Sequence, residues 1–399
     1  MIELGKLVER VIHEQVYEHF VKHKLFHTNH HGFVGNHSTA TALIQLQDLW
    51  LSAAEEKKMT AALLLDLSAA FDLVDHTIFI DKLRLYEFSD KSIEWFASYL
   101  NDRKQVVQVE SKLSDPADLE DYGVPQGSIL GPLIFIIFSN DFPTNSQDCV
   151  SVLYADDDTV NVSASNLKDL QDGLQSAADS STQWVADNRM VCSGEKTKLL
   201  LMGTPQLKRH RIQDQGISVA ICGKIVKPSK SEKLLGLIVN DQMTWNEYLY
   251  GECWRQTDNV KHLIMQLSQR VGLLKKVAPL MPLSRFKVVC QGLFYSKLSY
   301  CLQVMGNVWG LTNNDLVNRR YTDFCKSDNN KLQVLQNQVL RMKTGLPPRT
   351  STEHLVDISG DLSVHQLTAF FTLSTCQKII HTEKPGTLAS KLRHGTVVT

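Results

Sequence analysis

The chain has 399 residues, a formal net charge of −1, and 43% hydrophobic against 21% charged residues. That length suits roughly two or three structural units with a real apolar core, which excludes a disordered or fibrous protein. Taken alone, the near-zero charge argues against a polyanionic partner, which usually selects an obvious basic excess.

The eight cysteines contain no CxxC pair, so zinc-ribbon and knuckle spacings are absent. Scattered thiols behind an N-terminus, MIELGKLVER, that has no apolar leader predict an intracellular protein of the cytoplasm or nucleus, not a secreted one. The longest aliphatic and aromatic run, Leu133 to Phe138, is far too short to cross a bilayer, so no membrane partner is expected.

In chain order, Val8, Ile12, Val16 and Phe20 recur at four-residue spacing and predict an inward helix face within 7–26. The next stretch holds His27, His30, His31 and His37. It reads as a polar loop and not as a metal centre, because no i,i+4 pair with an acidic partner accompanies the histidines. Ser38 can cap a helix over about 40–56 with Leu43, Leu46 and Trp50 on one face. Ala61 to Leu65 is a continuous apolar run, hence a buried strand, and it ends in Asp66. Ser89 can cap a further helix with Ile93, Phe96 and Leu100 facing inward, and 105–110 suits a strand. A Gly/Pro-rich loop from Gly123 leads into an apolar segment. Residues 152–162 read as strand, acidic turn, strand, a hairpin. A helix is expected at 166–188 and short strands near 198–202, 217–221 and 234–239. From about 250 helical stripes dominate; one is Leu332, Leu335, Val339 and Met342, closed by Gly345 and Pro347-Pro348.

Placing the charges along the chain reverses the first inference. Residues 61–160 hold 18 Asp/Glu and 6 Lys/Arg, a net of −12, while 255–399 hold 19 Lys/Arg and 8 Asp/Glu, a net of +11. An acidic centre is joined to a basic helical C-terminal part, a pattern that points to a polyanion for the basic half. Within the centre, Asp66 ends one buried strand, and Asp156 and Asp157 sit at a hairpin tip. Clustered carboxylates repel and take up protons unless a cation compensates them, and oxygen-only ligands favour Mg²⁺ over zinc. Two such strands side by side could bridge two ions and support phosphoryl transfer.

At this point the chain resembles the reverse transcriptases of non-LTR, LINE-type, jockey-like retrotransposons. The matching segments stand in the family's order: GFVGNHST at 32–39, LLLDLSAAFDLVDH at 63–76, GVPQGSILGPLIF at 123–135, LYADDDT with its YADD box at 153–159, DNRMVCSGEKTKLLLMG at 187–203 and EKLLGLIVN at 232–240. The stretch LQVLQNQVLRMKTG at 332–345 resembles the helical region that follows.

The resemblance implies an α+β right-hand polymerase with fingers, an antiparallel-sheet palm and a helical thumb. Fingers and palm would occupy 1–248, with the fingers cut short at the N-terminus, and a basic helical thumb and C-terminal region 249–399. It implies an RNA-directed DNA polymerase that adds deoxynucleotides to a primer 3′-hydroxyl with two Mg²⁺ ions, Mn²⁺ being a substitute. Its partners would be an RNA template, a DNA primer and deoxynucleoside triphosphates; the oligomeric state stays open. Asp66, Asp156 and Asp157 would hold the metal, and Leu67 would lend its carbonyl. Phe71 would be the steric gate against a ribose 2′-hydroxyl, and Gln126 and Gly127 would line the nucleotide pocket. Lys196 would serve the leaving pyrophosphate, and Leu235 and Gly236 would support the primer grip. Arg319, Arg320, Lys275 and Lys276 are phosphate candidates. Val34 departs from the arginine that commonly follows Gly-Phe in the family, and Asp158 departs from threonine. Val34 and the missing start of the fingers motivate the alternative of a catalytically silent nucleic-acid-binding remnant. A generic carboxylate-metal nuclease would account for Asp66 and Asp156 but not for Phe71, Gln126 or the primer-grip segment.

Overall fold

The computed structural model describes residues 2–101, 103–118, 121–142, 149–203, 216–243, 249, 263–305 and 326–393. The chain divides into two compact units, one of residues 1–42, 53–201 and 206–228, the other of 43–52, 202–205 and 229–399. Arg319 and Arg320 lie outside the described residues.

The first unit is α+β. Its helices are α1 (Ile2–Lys22), the ends of α2 (Thr39–Glu55), α3 (His76–Leu85), α4 (Asp90–Leu100), α5 (Leu130–Phe138) and α6 (Leu167–Asp187). Side-chain caps start α2 and α4 at the serines the sequence suggests, and α6 at Asn166. Ser38 Oγ accepts from the Thr41 amide at 3.2 Å, Ser89 Oγ from Ser92 at 3.3 Å, and Asn166 Oδ1 from Asp169 at 2.8 Å. The apolar run Leu133–Phe138 forms most of α5 and is buried on every side, as expected of a core helix. Fully burying each of its large side chains contributes roughly 1.5–3 kcal/mol.

A five-stranded sheet backs these helices. Its order is Pro228–Ser229, β4 (Lys198–Met202), β1 (Met59–Asp66), β3 (Asp157–Ala164) and β2 (Val150–Tyr154). β3 pairs antiparallel with both β1 and β2. Alternation along the strands separates two faces. Met59, Ala61, Leu63 and Leu65 of β1, with Val160 and Val162 of β3, enter the main core. The opposite face carries Thr60, Leu64 and Asp66 against Ser163, Thr159 and Asp157.

The second unit is mainly helical: Leu263–Val277, Leu283–Cys290, Lys326–Thr344, Thr352–Ser359, Val364–Thr382 and Gly386–Arg393. The expected stripe buries Leu332, Leu335 and Val339, and Gly345 ends that helix at φ 72 with its amide donating to Arg341 O at 2.8 Å. Ile44 of α2 packs on Ile379, Leu388 and Ala389.

Three local expectations change. Val8 is exposed and only Val16 and Phe20 of that stripe are buried, with Ile12 partly so, because α1 meets the core through its C-terminal half alone. Residues 105–110 form no continuous strand. Gln105 pairs with Ala117 and Val109 with Lys112, in two short ladders, and Val106, Val107 and Val109 stay exposed, so no apolar face is buried to extend the strand. Residues 234–239 are not one strand but the apex of a hairpin, Ser231–Leu234 and Leu237–Asn240.

Candidate active site

The carboxylates converge through register. Asp66 ends β1, and its direct partner across the ladder is Asp157, the first residue of β3. Directly opposed residues of an antiparallel pair share a face, so both side chains lie on the face away from the main core. Asp156 occupies the two-residue turn between β2 and β3, next to Ala155 at φ 59. Asp156 and Asp157 are exposed and Asp66 is half-buried. Asp66 Oδ1 is out of solvent and has no hydrogen-bond partner; the Lys196 ammonium stands 3.5 Å from it.

Lys196 is held there by its backbone. Leu67, buried at 5% exposure, bridges antiparallel to Cys192. The Ser68 amide donates to Val191 O at 2.8 Å and the Ser193 amide to Asp66 O at 3.0 Å. Ser193 then closes a turn by accepting from the Lys196 amide at 3.3 Å. The loop also rests on the hairpin formed by Val219–Ile221 and Lys224–Val226: a Cβ at Gly194 would lie 3.0 Å from Ile221 O, and Glu195 pairs with Lys224 at 3.0 Å. Burial, and then the Cys222 side chain beside it, push the Cys192 thiol up to about 12, so it is an inert neighbour of the carboxylates.

The third consecutive aspartate goes the other way. Asp158 pairs with Leu65 and Leu153 and therefore enters the core face. It is 2% exposed and neither carboxylate oxygen has a partner. Burial, reinforced by Asp157 and Asp156, holds its carboxyl well above the ordinary range, which favours the protonated acid.

Phe71 lies in a short 3-10 turn, Ala70–Leu73, and stacks on Phe135 with ring centroids 4.5 Å apart. The segment with Gln126 and Gly127 is laced to that turn: Val124 N donates to Phe71 O at 3.0 Å, and Gln126 Nε2 to Asp72 Oδ1 at 3.0 Å. Gly127 has φ 79, with open space where a Cβ would stand, so conformation and not crowding requires glycine.

In the second unit, Leu235 (φ 45) and Gly236 (φ 82) are the two turn residues of the hairpin. Tyr300 donates its hydroxyl to Leu235 O at 2.7 Å. Lys275 and Lys276 end the helix Leu263–Val277 exposed.

The fit to a divalent ion rests on Asp66 Oδ1, buried and without a hydrogen bond but 3.5 Å from the Lys196 ammonium, with Asp157 opposite it across the ladder and Asp156 in the adjoining turn. The three are not drawn into a finished cage: among the described residues no group of three His, Cys, Asp or Glu side chains stands close enough to hold a metal ion. Nor is any described helix long and apolar enough to cross a membrane.

Some participants escape sequence reasoning. His30 forms a parallel bridge with Leu153, and His31 N donates to Leu153 O at 2.7 Å, so the histidine loop is buried against the hairpin and is not a free polar loop. Asp75, 2% exposed, caps α3 through the Ile78 amide and receives Arg189 at 2.7 Å. Its place just before a helix was a readable cap signal, whereas no local pattern announces the histidine–strand pairing.

The chain is 25% identical over 374 residues to a Drosophila melanogaster protein described as "Probable RNA-directed DNA polymerase from transposon BS". It is 25% identical over 372 residues to the "RNA-directed DNA polymerase from mobile element jockey" of the same species. Each match covers 91% of this chain, which spans only 37% of the length of either relative. Among solved structures, telomerase from Candida tropicalis in complex with a telomeric RNA fragment matches at TM-score 0.43 and 12% identity, over 96% of this chain and 56% of that one. Residues 1–265 match the profile described as reverse transcriptase (RNA-dependent DNA polymerase), and the chain belongs to that family.

Proposed function

We propose that the chain is the RNA-directed DNA polymerase of a non-LTR, jockey-like retrotransposon, extending a DNA primer on an RNA template from deoxynucleoside triphosphates. The observation that carries this is the opposition of Asp66 and Asp157 across neighbouring strands, with Asp156 in the adjoining turn and a buried Asp66 oxygen held only by the Lys196 ammonium at 3.5 Å. In this reading the sheet is the palm, and the basic C-terminal helices are the thumb.

Asp66, Asp156 and Asp157 would hold two Mg²⁺ ions, with Mn²⁺ as a substitute and the Leu67 carbonyl as a further ligand. Bound there, the ions supply activation of the primer 3′-hydroxyl and stabilisation of the leaving oxygen. Lys196 stands on a fixed loop where its ammonium can turn from Asp66 to a leaving pyrophosphate and give it a proton or a positive charge. Phe71, backed by Phe135, excludes a 2′-hydroxyl. Gln126 and Gly127 line the nucleotide pocket, and Leu235 and Gly236 form the tip of the primer grip. Lys275 and Lys276 meet backbone phosphates without reading sequence.

Primer extension on an RNA template with Mg²⁺ tests this reading. Wild type is expected to lengthen a labelled primer and the Asp156→Asn, Asp157→Asn double variant to leave it unchanged. Equal incorporation by both would refute the reading, and a shortened primer would point to a nuclease. One observation favours the silent nucleic-acid-binding remnant instead: the Val34 side chain is buried at 6% exposure, so position 34 serves the core and offers no cation to a triphosphate. Salt-sensitive duplex binding without incorporation would decide for it.

A further inference from the structure

Phe33 stands exposed in a loop whose neighbours are buried. His30 is 0% and His31 1% exposed on one side and Val34 6% on the other, yet Phe33 is 52% exposed. The loop is fixed on both sides of Phe33: beyond it, the Gly35 amide donates to the Tyr17 hydroxyl at 2.5 Å. Leu153 N donates to Asn29 O at 3.0 Å, and His31 Nδ1 meets Thr41 Oγ1 at 3.0 Å. Gly32 lies so close to the hairpin turn that a Cβ there would come within 2.2 Å of the Ala155 amide nitrogen. From this anchorage Phe33 is thrown outward with φ 56, a left-handed conformation that is an outlier for a bulky side chain. Such strain persists where the surroundings over-determine it, and it is a reason to look for function.

The outward ring has one aromatic neighbour of interest. Its centroid lies 6.3 Å from that of Phe71 with the planes at 89°, an edge-to-face contact. Phe71 is already stacked on the fully buried Phe135, 4.5 Å away at 26°. Phe71 is therefore clamped: a face against the core and a perpendicular ring from the loop beside the Asp156 turn. A steric gate works only as far as its ring cannot swing aside. A single stack on Phe135 leaves the ring free to slide in its own plane, and a perpendicular neighbour removes that freedom.

We propose that Phe33 is a positioning residue for Phe71 and that, by clamping that ring, it sets discrimination between deoxyribo- and ribonucleotides. This rests on the reading of Phe71 as the gate, and the experiment separates the two. Single-nucleotide extension on an RNA template gives kcat/KM for a deoxynucleotide and for its ribonucleotide counterpart. The variants are Phe71→Val, Phe33→Ala, Phe33→Asn and Phe33→Tyr. Asparagine tolerates the left-handed backbone but lacks the ring, so it separates the ring from the strain.

Phe71→Val is expected to lose most discrimination. Phe33→Ala and Phe33→Asn are expected to lose about 2- to 12-fold, the worth of one edge-to-face aromatic pair. The loss should come from a rise in the ribonucleotide kcat/KM, and Phe33→Tyr, which keeps the edge, should restore the wild-type ratio. Wild-type discrimination in Phe33→Ala and Phe33→Asn beside a loss in Phe71→Val would overturn the clamp and leave the gate standing. A ratio that falls only because the deoxynucleotide is used less well would also overturn it. Unchanged discrimination in Phe71→Val, or no incorporation by wild type, would overturn the gate and the clamp together.

Discussion

Asp156, Asp157 and Asp158 meet three different environments although nothing separates them in sequence. The first is in a turn, the second faces Asp66, and the third is sealed between Leu65 and Leu153. Strand alternation alone makes that division. The pairing of Asp66 with Asp157 depends on it, since a one-residue slip would bring Asp158 to the site and bury Asp157. The buried acid costs stability, because a carboxyl without hydrogen bonds forfeits its hydration. Asp158→Val should therefore raise the urea midpoint at pH 7, with a gain of about 1–3 kcal/mol. A lower midpoint would mean that Asp158 has a stabilising role. Lys196 invites a complementary substitution. It is 67% exposed, so its contact with Asp66 contributes little to folding. Lys196→Met should lower kcat for nucleotide addition by about 10²-fold or more, within the roughly 10²–10⁴ range of proton-transfer catalysis. Mg²⁺ binding measured by calorimetry should not weaken, because an ammonium is removed and no ligand is lost. Weaker Mg²⁺ binding would show that the lysine organises the carboxylates and does not serve the leaving group.

At the level of elements, the site depends on a loop docked against a hairpin. His30 carries that docking: it bridges Leu153, its Nε2 meets Ser139 Oγ at 3.3 Å, and its Nδ1 has no partner. Burial, with smaller contributions from His31, His27 and His37, drives its pKa from 6.5 down to about 3. The folded pKa lies below the unfolded one, so this contribution to stability is complete above pH 6.5 and is lost as pH falls towards 3. Between about pH 7.5 and 5.5 the chain should lose roughly 1.4 kcal/mol from this group, and His30→Gln should flatten that slope in urea titrations. A slope that survives the substitution would assign it elsewhere. Val34, next to Phe33 on the same loop, tests the family's arginine: Val34→Arg should cost several kcal/mol, as burying an unpaired charge does. A variant that melts like wild type and binds nucleotide more tightly would show that the position turns outward. Elements with local signals were legible from sequence. Ser38, Ser89 and Asn166 cap the expected helices, and Asp66 and the acidic turn end the expected strands. What escaped depends on distant partners. Leu235 looks like strand interior, and only its φ of 45, in a turn whose carbonyl Tyr300 holds, makes it a tip. Val8 keeps the right spacing, but that half of α1 meets its neighbours through Glu9, which accepts from the Tyr99 hydroxyl and the Ile129 amide, and Val8 stays exposed. The histidines look polar because the strand that buries them lies more than a hundred residues away.

For the whole molecule, the near-zero net charge conceals a sign change along the chain: −12 over 61–160 and +11 over 255–399. Each half is intelligible in the proposed reaction. Carboxylates concentrate where divalent cations would compensate them, and lysines and arginines collect in helices that would meet phosphates. The acidic half would repel a nucleic acid on its own, so affinity for a duplex has to come from the basic half, and it has to be electrostatic and insensitive to base sequence. Lys275 and Lys276, adjacent and exposed at one helix end, are the described residues best suited to test this. Each phosphate contact releases counterions, so affinity falls steeply as salt rises, and each contact removed makes that fall shallower. Lys275→Gln with Lys276→Gln should reduce the slope of log affinity against log salt by about one per lysine. Anisotropy of a labelled RNA–DNA duplex over roughly 50 to 300 mM KCl reads this slope. The loss should be the same for duplexes of unrelated sequence. Parallel salt dependences for wild type and variant would show that these lysines are solvated surface and would move the polyanion grip to other residues of the basic half.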